Sequence, residues 1–279
     1  MPPRGKPPRR PAASSSNVQG TVAFEEPDLE VIEGIVKSPI KAIVYGSGGV
    51  GKTTLCSLLK RFGLSVRFVD VELSSTFVDA SRVNPKTWEE TRGYLRGQKI
   101  LGSDVVVVDS LTRCVNLCSD FVVRTVPHEK PDRKIQRLED YGWGKGAFHL
   151  HDCFLPILAD LDALVEKGKH VICTAHECVS VVPNPESDDY IRFEPRLPSG
   201  TKKGEANIRA QVCEWADHLF FVQMDKDVKD GKAKGEGTRS IYPYNTPQFW
   251  AKSRTLEDPI DFEHPSEESA GELWKLLLN

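Results

Sequence analysis

Gly46-Ser47-Gly48-Gly49-Val50-Gly51-Lys52-Thr53 is the stretch that decides how this chain is read. Its glycines allow the backbone to curl until the N–H groups face an anion, Lys52 can reach β- and γ-phosphates, and Thr53 offers a hydroxyl to Mg²⁺. The flanks fit that reading. Lys41-Ala-Ile-Val-Tyr45 is a short β-rich apolar run, and from Thr53 to Phe62 the residues Leu55, Leu58, Leu59 and Phe62 fall on one helical face. Strand, glycine loop and helix in that order predict a nucleotide cradle for Mg·ATP formed by Gly46, Ser47, Gly48, Gly49, Val50, Gly51, Lys52 and Thr53. Thr54 is expected to pack at the helix start or to make a weaker phosphate contact.

Working outward, Gly63 closes the first helix, and Val66 to Val69 forms a second strand running into Asp70, Val71 and Glu72. Asn84 followed by Pro85, Trp88, Thr91, Tyr94 and Leu95 predicts a capped helix through about Arg96. Val105 to Val108 is fully apolar and ends in Asp109, the pattern of a central parallel strand covered on both faces. Apolar residues recur at helical spacing from Ala147 to Lys167, with Pro156 predicting a kink or a break, before the buried strand His170 to Ala175. Leu219 to Gln223, Arg239 to Tyr242 and Gln248 to Lys252 read as further strands, and Lys229 to Gly237 as an exposed hairpin loop. The fold class expected is α/β: a mostly parallel central sheet flanked by helices, with antiparallel strands toward the C-terminus.

Asp109 ends the most apolar strand, where open α/β sheets place their ligand crevice, and a carboxylate there can hold Mg²⁺ through a water. The alternative is an aspartate that caps a turn. Hydrolysis also needs a carboxylate to orient the attacking water, and Glu72 is the preferred base, with Asp70 structural. His176 follows the strand ending in Thr174-Ala175, where it either senses the γ-phosphate or is an ordinary strand-end histidine. Lys252 and Arg254 lie two residues apart, on one side of an extended chain. Such a pair suits charge neutralisation in a neighbouring subunit's site, or is a solvated strand end.

Composition bounds the rest. The 279 residues carry a net charge of −3, unevenly spread. The first 17 residues hold Arg4, Lys6, Arg9 and Arg10 without an acid, whereas Asp258 to Glu272 is mostly acidic. Residues 1–20 read as a disordered, basic, proline-rich tail, 21–262 as the nucleotide-binding domain, and 263–279 as an acidic tail or helix, with neither end contributing core. No apolar run reaches membrane-span length, so no membrane partner is expected and the chain reads as intracellular and cytoplasmic. Seven scattered cysteines argue against a disulfide framework. Neither His149, His151 and Cys153 nor Cys173, His176 and Cys178 has structural-zinc spacing.

The segments GSGGVGKTT, FVDVE, VVVVDS, ICTAHE and AKSR, in this order, resemble the RecA-like ATPase core and specifically the phage-type nucleotide-binding proteins that include single-strand annealing recombinases. The resemblance spans roughly residues 41–261. It implies a catalytic base at Glu72, a nucleotide-state relay at His176, and a finger at Lys252 and Arg254 inserted into a neighbouring subunit of a homo-oligomer. It also implies single-stranded DNA as a partner, with a single-strand DNA-binding protein as a further one. DNA would lie against Thr112 to Asp140, with Arg113, Arg124, Lys130, Arg133, Lys134 and Arg137, and against Glu177 to Arg209. The latter holds Arg192, Arg196, Lys202, Lys203 and Arg209, and Tyr190 and Phe193 as stacking candidates. Its acids equal or exceed its bases, so charge alone does not establish the interface. A nucleotide-gated adaptor or loader for a replication protein is the competing reading.

Overall fold

A computed structural model describes residues 30–200, 206–229, 232–234, 237–264 and 268–279. The basic tail expected at the N-terminus lies outside them. Two units are distinguished, Met1–Lys37 and Ser38–Asn279. Residues 30–37 of the first form no helix or strand.

The second unit is built on a nine-stranded sheet. Its strands are β1 (Lys41–Gly46), β2 (Val66–Asp70), β3 (Ser81–Val83), β4 (Val105–Asp109), β5 (His170–Val182), β6 (Tyr190–Pro195), β7 (His218–Met224), β10 (Arg239–Tyr242) and β11 (Ile260–Phe262), while β8 (Asp227–Lys229) and β9 (Lys232–Lys234) pair separately as a hairpin. The order is β11-β10-β7-β1-β5-β4-β2-β3. Strands β7 through β3 in that path are parallel, and β10 and β11 add antiparallel pairs at one edge. This is the α/β architecture expected from the sequence, a mostly parallel sheet with antiparallel strands toward the C-terminus.

Strand alternation divides the core between the two faces. Ile43 and Tyr45 of β1, Val106 and Val108 of β4, and Leu219 and Phe221 of β7 join the cluster formed with helices α2 (Trp88–Leu95), α3 (Leu111–Thr125), α4 (Lys145–Phe154), α5 (Pro156–Glu166) and α6 (Ile208–Trp215). Ala42 and Val44, Val105 and Val107, and Phe220 and Val222 face the other way, toward α1 (Lys52–Ser57) and α7 (Glu272–Leu278). Valines at all four positions of Val105 to Val108 fit because both faces are covered, each buried side chain contributing about 1.5–3 kcal/mol.

Several elements differ from expectation for identifiable reasons. The helix after the glycine loop is α for only Lys52–Ser57 and tightens to 3₁₀ over Leu58–Phe62. Thr87, not Asn84, caps α2 by accepting from the Glu90 N–H, while Asn84 Nδ2 donates to the Asp70 carbonyl. Pro156 breaks the long helical pattern into α4 and α5. Residues 112–125, read as part of a DNA-binding loop, lie in α3, because Leu111, Cys114, Val115, Cys118 and Val122 make a buried helical stripe and Ser110 supplies the cap. Strand β5 runs on past Ala175 to Val182, paired with β6, so 177–195 is a hairpin rather than an open loop. Gln248 to Lys252 is not a strand. Phe249 bridges Phe193 while Lys252 bridges Leu219, so the segment's two ends serve different strands and no ladder develops.

The C-terminal end does belong to the core. Leu273 and Trp274 of α7 are fully buried, and Trp274 Nε1 donates to the Leu55 carbonyl at 2.7 Å, tying the helix to α1. The acids around it had hidden this short apolar stripe. Trp274→Ala should lower unfolding free energy by roughly 3–5 kcal/mol in urea melts, and Trp274→Phe, which keeps one aromatic ring but loses the donor and part of the buried volume, by less, about 1–3 kcal/mol.

Candidate active site

The glycine loop leaves β1 where backbone approaches backbone. A Cβ at Gly46 would stand 2.2 Å from the Val222 carbonyl oxygen of β7, so no larger residue fits the parallel pairing there. Gly51 turns into α1 at φ 101, a left-handed conformation open to glycine. Val50 is buried and anchors the loop to the sheet. Lys52 curls over this turn, with Nζ donating to the carbonyls of Gly46 at 3.0 Å and Ser47 at 2.8 Å. The side chain is almost wholly covered, and burial lowers its pKa, opposed by the negative charges of Asp109 and Glu72.

Asp109 stands at the end of β4, 2% exposed, and gathers hydroxyl donors from three elements. Thr53 Oγ1 of α1 and Ser74 Oγ of the turn after β2 each donate to its Oδ2 at 2.7 Å, and Thr174 Oγ1 of β5 donates to Oδ1. The loop's threonine and the strand-end aspartate, 56 positions apart, are thereby in direct contact. Ser74 and Thr174 were not assigned roles from sequence. A polar residue in an otherwise apolar strand was the available signal for Thr174.

Glu72 is held by the turn that carries it. The buried Asp70 carboxylate accepts from the N–H groups of Glu72 at 3.2 Å, Ser74 at 3.1 Å and Ser75 at 2.9 Å, and from Ser75 Oγ at 2.6 Å. Leu73 adopts φ 62 within this turn, a conformation costly for a branched side chain and maintained by the surrounding bonds. The Glu72 carboxylate accepts from Ser110 Oγ and meets His176 Nε2 at 3.1 and 3.2 Å. His176 is in turn fixed through its backbone: its N–H donates to Thr112 Oγ1 at 3.0 Å, and its carbonyl accepts from the Arg196 N–H at 2.8 Å. Ser110 and Thr112 therefore sit within the constellation. Beside Glu72 and His176 opens a cleft of about 470 Å³. Thr54 lies away from it, lining a different hollow with Phe77 and Asp79.

Lys252 and Arg254 are not brought to this cluster. Lys252 bridges Leu219, whose β1 partner Ile43 precedes Gly46 by three residues, about 10 Å along the strand. Arg254 Nε bonds Asp217 Oδ1 at 2.6 Å, one step further from the loop, and its side chain remains 73% exposed. Lys252 Nζ donates to the Glu214 carbonyl, and burial lowers its pKa. The pair thus occupies the end of the sheet opposite the phosphate loop.

The cations expected to contact DNA divide in two. Arg192 and Arg209 both pair with the buried Glu194 carboxylate, and Arg209 also donates to Ser180 Oγ at 2.7 Å, so these two guanidinium groups knit the hairpin base together. Phe193 stacks on Phe221 in the core. Arg124 pairs with Glu89 and Arg137 with Asp140. Lys130, Arg133 and Lys134 are exposed. Lys202 and Lys203 lie outside the described residues.

A search of curated proteins gives no match. Among solved structures, the flagellar accessory protein FlaH from Methanocaldococcus jannaschii is similar at 12% identity and a TM-score of 0.38, with 80% of this chain and 86% of that chain covered. The AAA domain family profile matches residues 38–255, from the residues leading into β1 to the segment that carries Lys252 and Arg254. With that match spanning most of its length and every element of the nucleotide cradle, the chain belongs to the AAA domain family.

Proposed function

We propose that the protein is a Mg²⁺-dependent ATPase of RecA-like type that acts as a homo-oligomer on single-stranded DNA in recombination or annealing. The contact of Thr53 with Asp109 beside Lys52 carries the first part. A hydroxyl and a carboxylate are oxygen donors suited to a hard cation. The hydroxyl can donate its proton to Asp109 while offering a lone pair to the metal, so this bond need not break on loading. Mg²⁺ held by Thr53 and Asp109 would supply charge neutralisation for the triphosphate. Lys52, released from its own loop carbonyls, neutralises the β- and γ-phosphate oxygens. Glu72 accepts a proton from water as the water oxygen bonds to the γ-phosphorus; the bond from phosphorus to the β–γ bridging oxygen breaks, and its electron pair leaves with ADP.

His176 connects this chemistry to an output. It touches Glu72 through its ring and Arg196 through its carbonyl, so a change in the carboxylate's position is felt where the hairpin β5–β6 returns to the body of the domain. Lys252 and Arg254, remote from their own loop, support a role in a neighbour's site. Exposed Lys130, Arg133 and Lys134 support a nucleic-acid backbone partner. The second reading, a nucleotide-gated adaptor for a replication protein, is favoured by Val179, Val181 and Ile191, exposed together on one face of the hairpin.

Lys52→Ala should abolish ATP turnover, whereas Glu72→Gln should retain bound nucleotide with kcat lowered about 10²-fold or more; steady-state turnover and fluorescent-nucleotide binding report the two. Unchanged turnover in Glu72→Gln would move the base elsewhere. Single-stranded DNA should stimulate hydrolysis and bind with salt-sensitive affinity. Absence of both, with ATP-dependent capture of a protein partner retained, would favour the adaptor. Finally, Lys252→Ala and Lys52→Ala chains, each inactive alone, should recover activity when mixed, because some interfaces then combine an intact loop with an intact finger.

A further inference from the structure

The cleft beside Glu72 lies on the side of the sheet away from α1. Leu55, Leu58 and Leu59, which follow the phosphate loop, pack on one face with Val44 and Val107. The cleft is lined by Leu117 and Arg113 of α3, which packs on the other face, with Pro85 and Lys86 before α2, and by Glu72 and His176. Glu72 and His176 line this space, and the charge of the same Glu72 carboxylate is felt by Lys52 of the phosphate loop.

Charge gives that space a direction. Lys86 and Arg113 are exposed and belong to no ion pair among the described residues. The acid in the lining, Glu72, is already engaged by Ser110 and His176. Leu117, Val71 and Pro85 supply apolar wall, which strengthens attraction between the two cations and an anion between them. The lining therefore sets two cations, Lys86 and Arg113, against the single carboxylate of Glu72, an excess of positive charge beside the residue assigned to the attacking water.

We propose that this cleft binds inorganic phosphate, taking the product of hydrolysis as it leaves on the far side of Glu72 from ADP. The inference rests on the ATPase reading for the origin of its ligand. ADP remains in the loop after the bond breaks and closes the route by which the triphosphate entered. The freed phosphate lies nearest Glu72, and displacement of the Glu72–His176 contact opens a way toward Arg113 and Lys86. The same two cations would also suit a phosphodiester of bound DNA, and the test separates the sources.

Full-length wild type, the exposed-residue double variant Lys86→Gln with Arg113→Gln, and Lys52→Ala are titrated with inorganic phosphate and followed by phosphorus NMR line broadening. Phosphate inhibition of ATP turnover is measured in the first two. Wild type and Lys52→Ala should both bind phosphate, and the double variant should bind roughly tenfold more weakly, the loss expected for a charge-assisted hydrogen bond. Its inhibition constant for phosphate should rise in parallel while KM for ATP stays unchanged, and Arg113→Lys should largely restore it. Phosphate binding lost in Lys52→Ala but intact in the double variant would assign the anion to the loop and overturn the proposal. Weakened DNA binding with unchanged phosphate inhibition would assign the cleft to a phosphodiester and overturn it equally. A wild type that turns over no ATP sinks the ATPase reading, while the binding comparison still decides the cleft.

Discussion

A buried carboxylate that accepts hydrogen bonds from three separate elements is the constraint around which this domain is arranged. Asp109 is an acceptor with almost no access to water, so leaving it unpaired would cost several kcal/mol. Thr53, Ser74 and Thr174 satisfy it, and in doing so they fix α1, the turn after β2 and strand β5 to the end of β4. All three partners are neutral. No cation hydrogen-bonds the carboxylate: Lys52, the charge that interacts with it, bonds the Gly46 and Ser47 carbonyls instead, whereas an arginine paired directly to Asp109 would have neutralised it in place. Glu194 shows the contrasting case in the same molecule. Two guanidinium groups neutralise it, and it serves the hairpin's structure.

The division of labour between Asp70 and Glu72 follows from the same accounting. Asp70 is fully buried and spends its oxygens on backbone N–H groups and Ser75, which leaves it little capacity for chemistry but makes it a rigid brace. Glu72, two residues on, points into the cluster with a serine and a histidine as partners. Two carboxylates in one five-residue segment thus acquire different work from their surroundings.

What could be read from the sequence was whatever depends on local pattern. The glycine loop, the apolar runs of β1 and β4, the break at Pro156 and the positions of Asp109 and Glu72 all follow from spacing and composition, because a parallel sheet covered on both faces writes itself as short apolar runs ending at its ligand edge. The misses have a common origin in contacts between segments distant in sequence. Arg209 is a buried structural cation because of Glu194, and Phe193 packs against the core because of Phe221. Neither partner is visible from local charge or hydropathy. Helix α3 was legible in principle, since Cys114 and Cys118 complete its buried stripe, but counting cysteines as apolar was needed to see it.

The placement of His176 explains why the hairpin and the site are mechanically one object. Strand β5 carries both: its first half lies between β1 and β4, and its second half pairs with β6 beyond the sheet's ligand edge. His176 is the last β5 residue in register with β1, opposite Gly46 of the phosphate loop. Residue 176 and the hairpin thus belong to one continuous strand with no loop between them. Thr112, which accepts from the His176 N–H and lies two residues past the N-cap Ser110, links the same point to α3. The residue that touches Glu72 is therefore the one at which the strand leading to the phosphate loop, the hairpin and α3 meet.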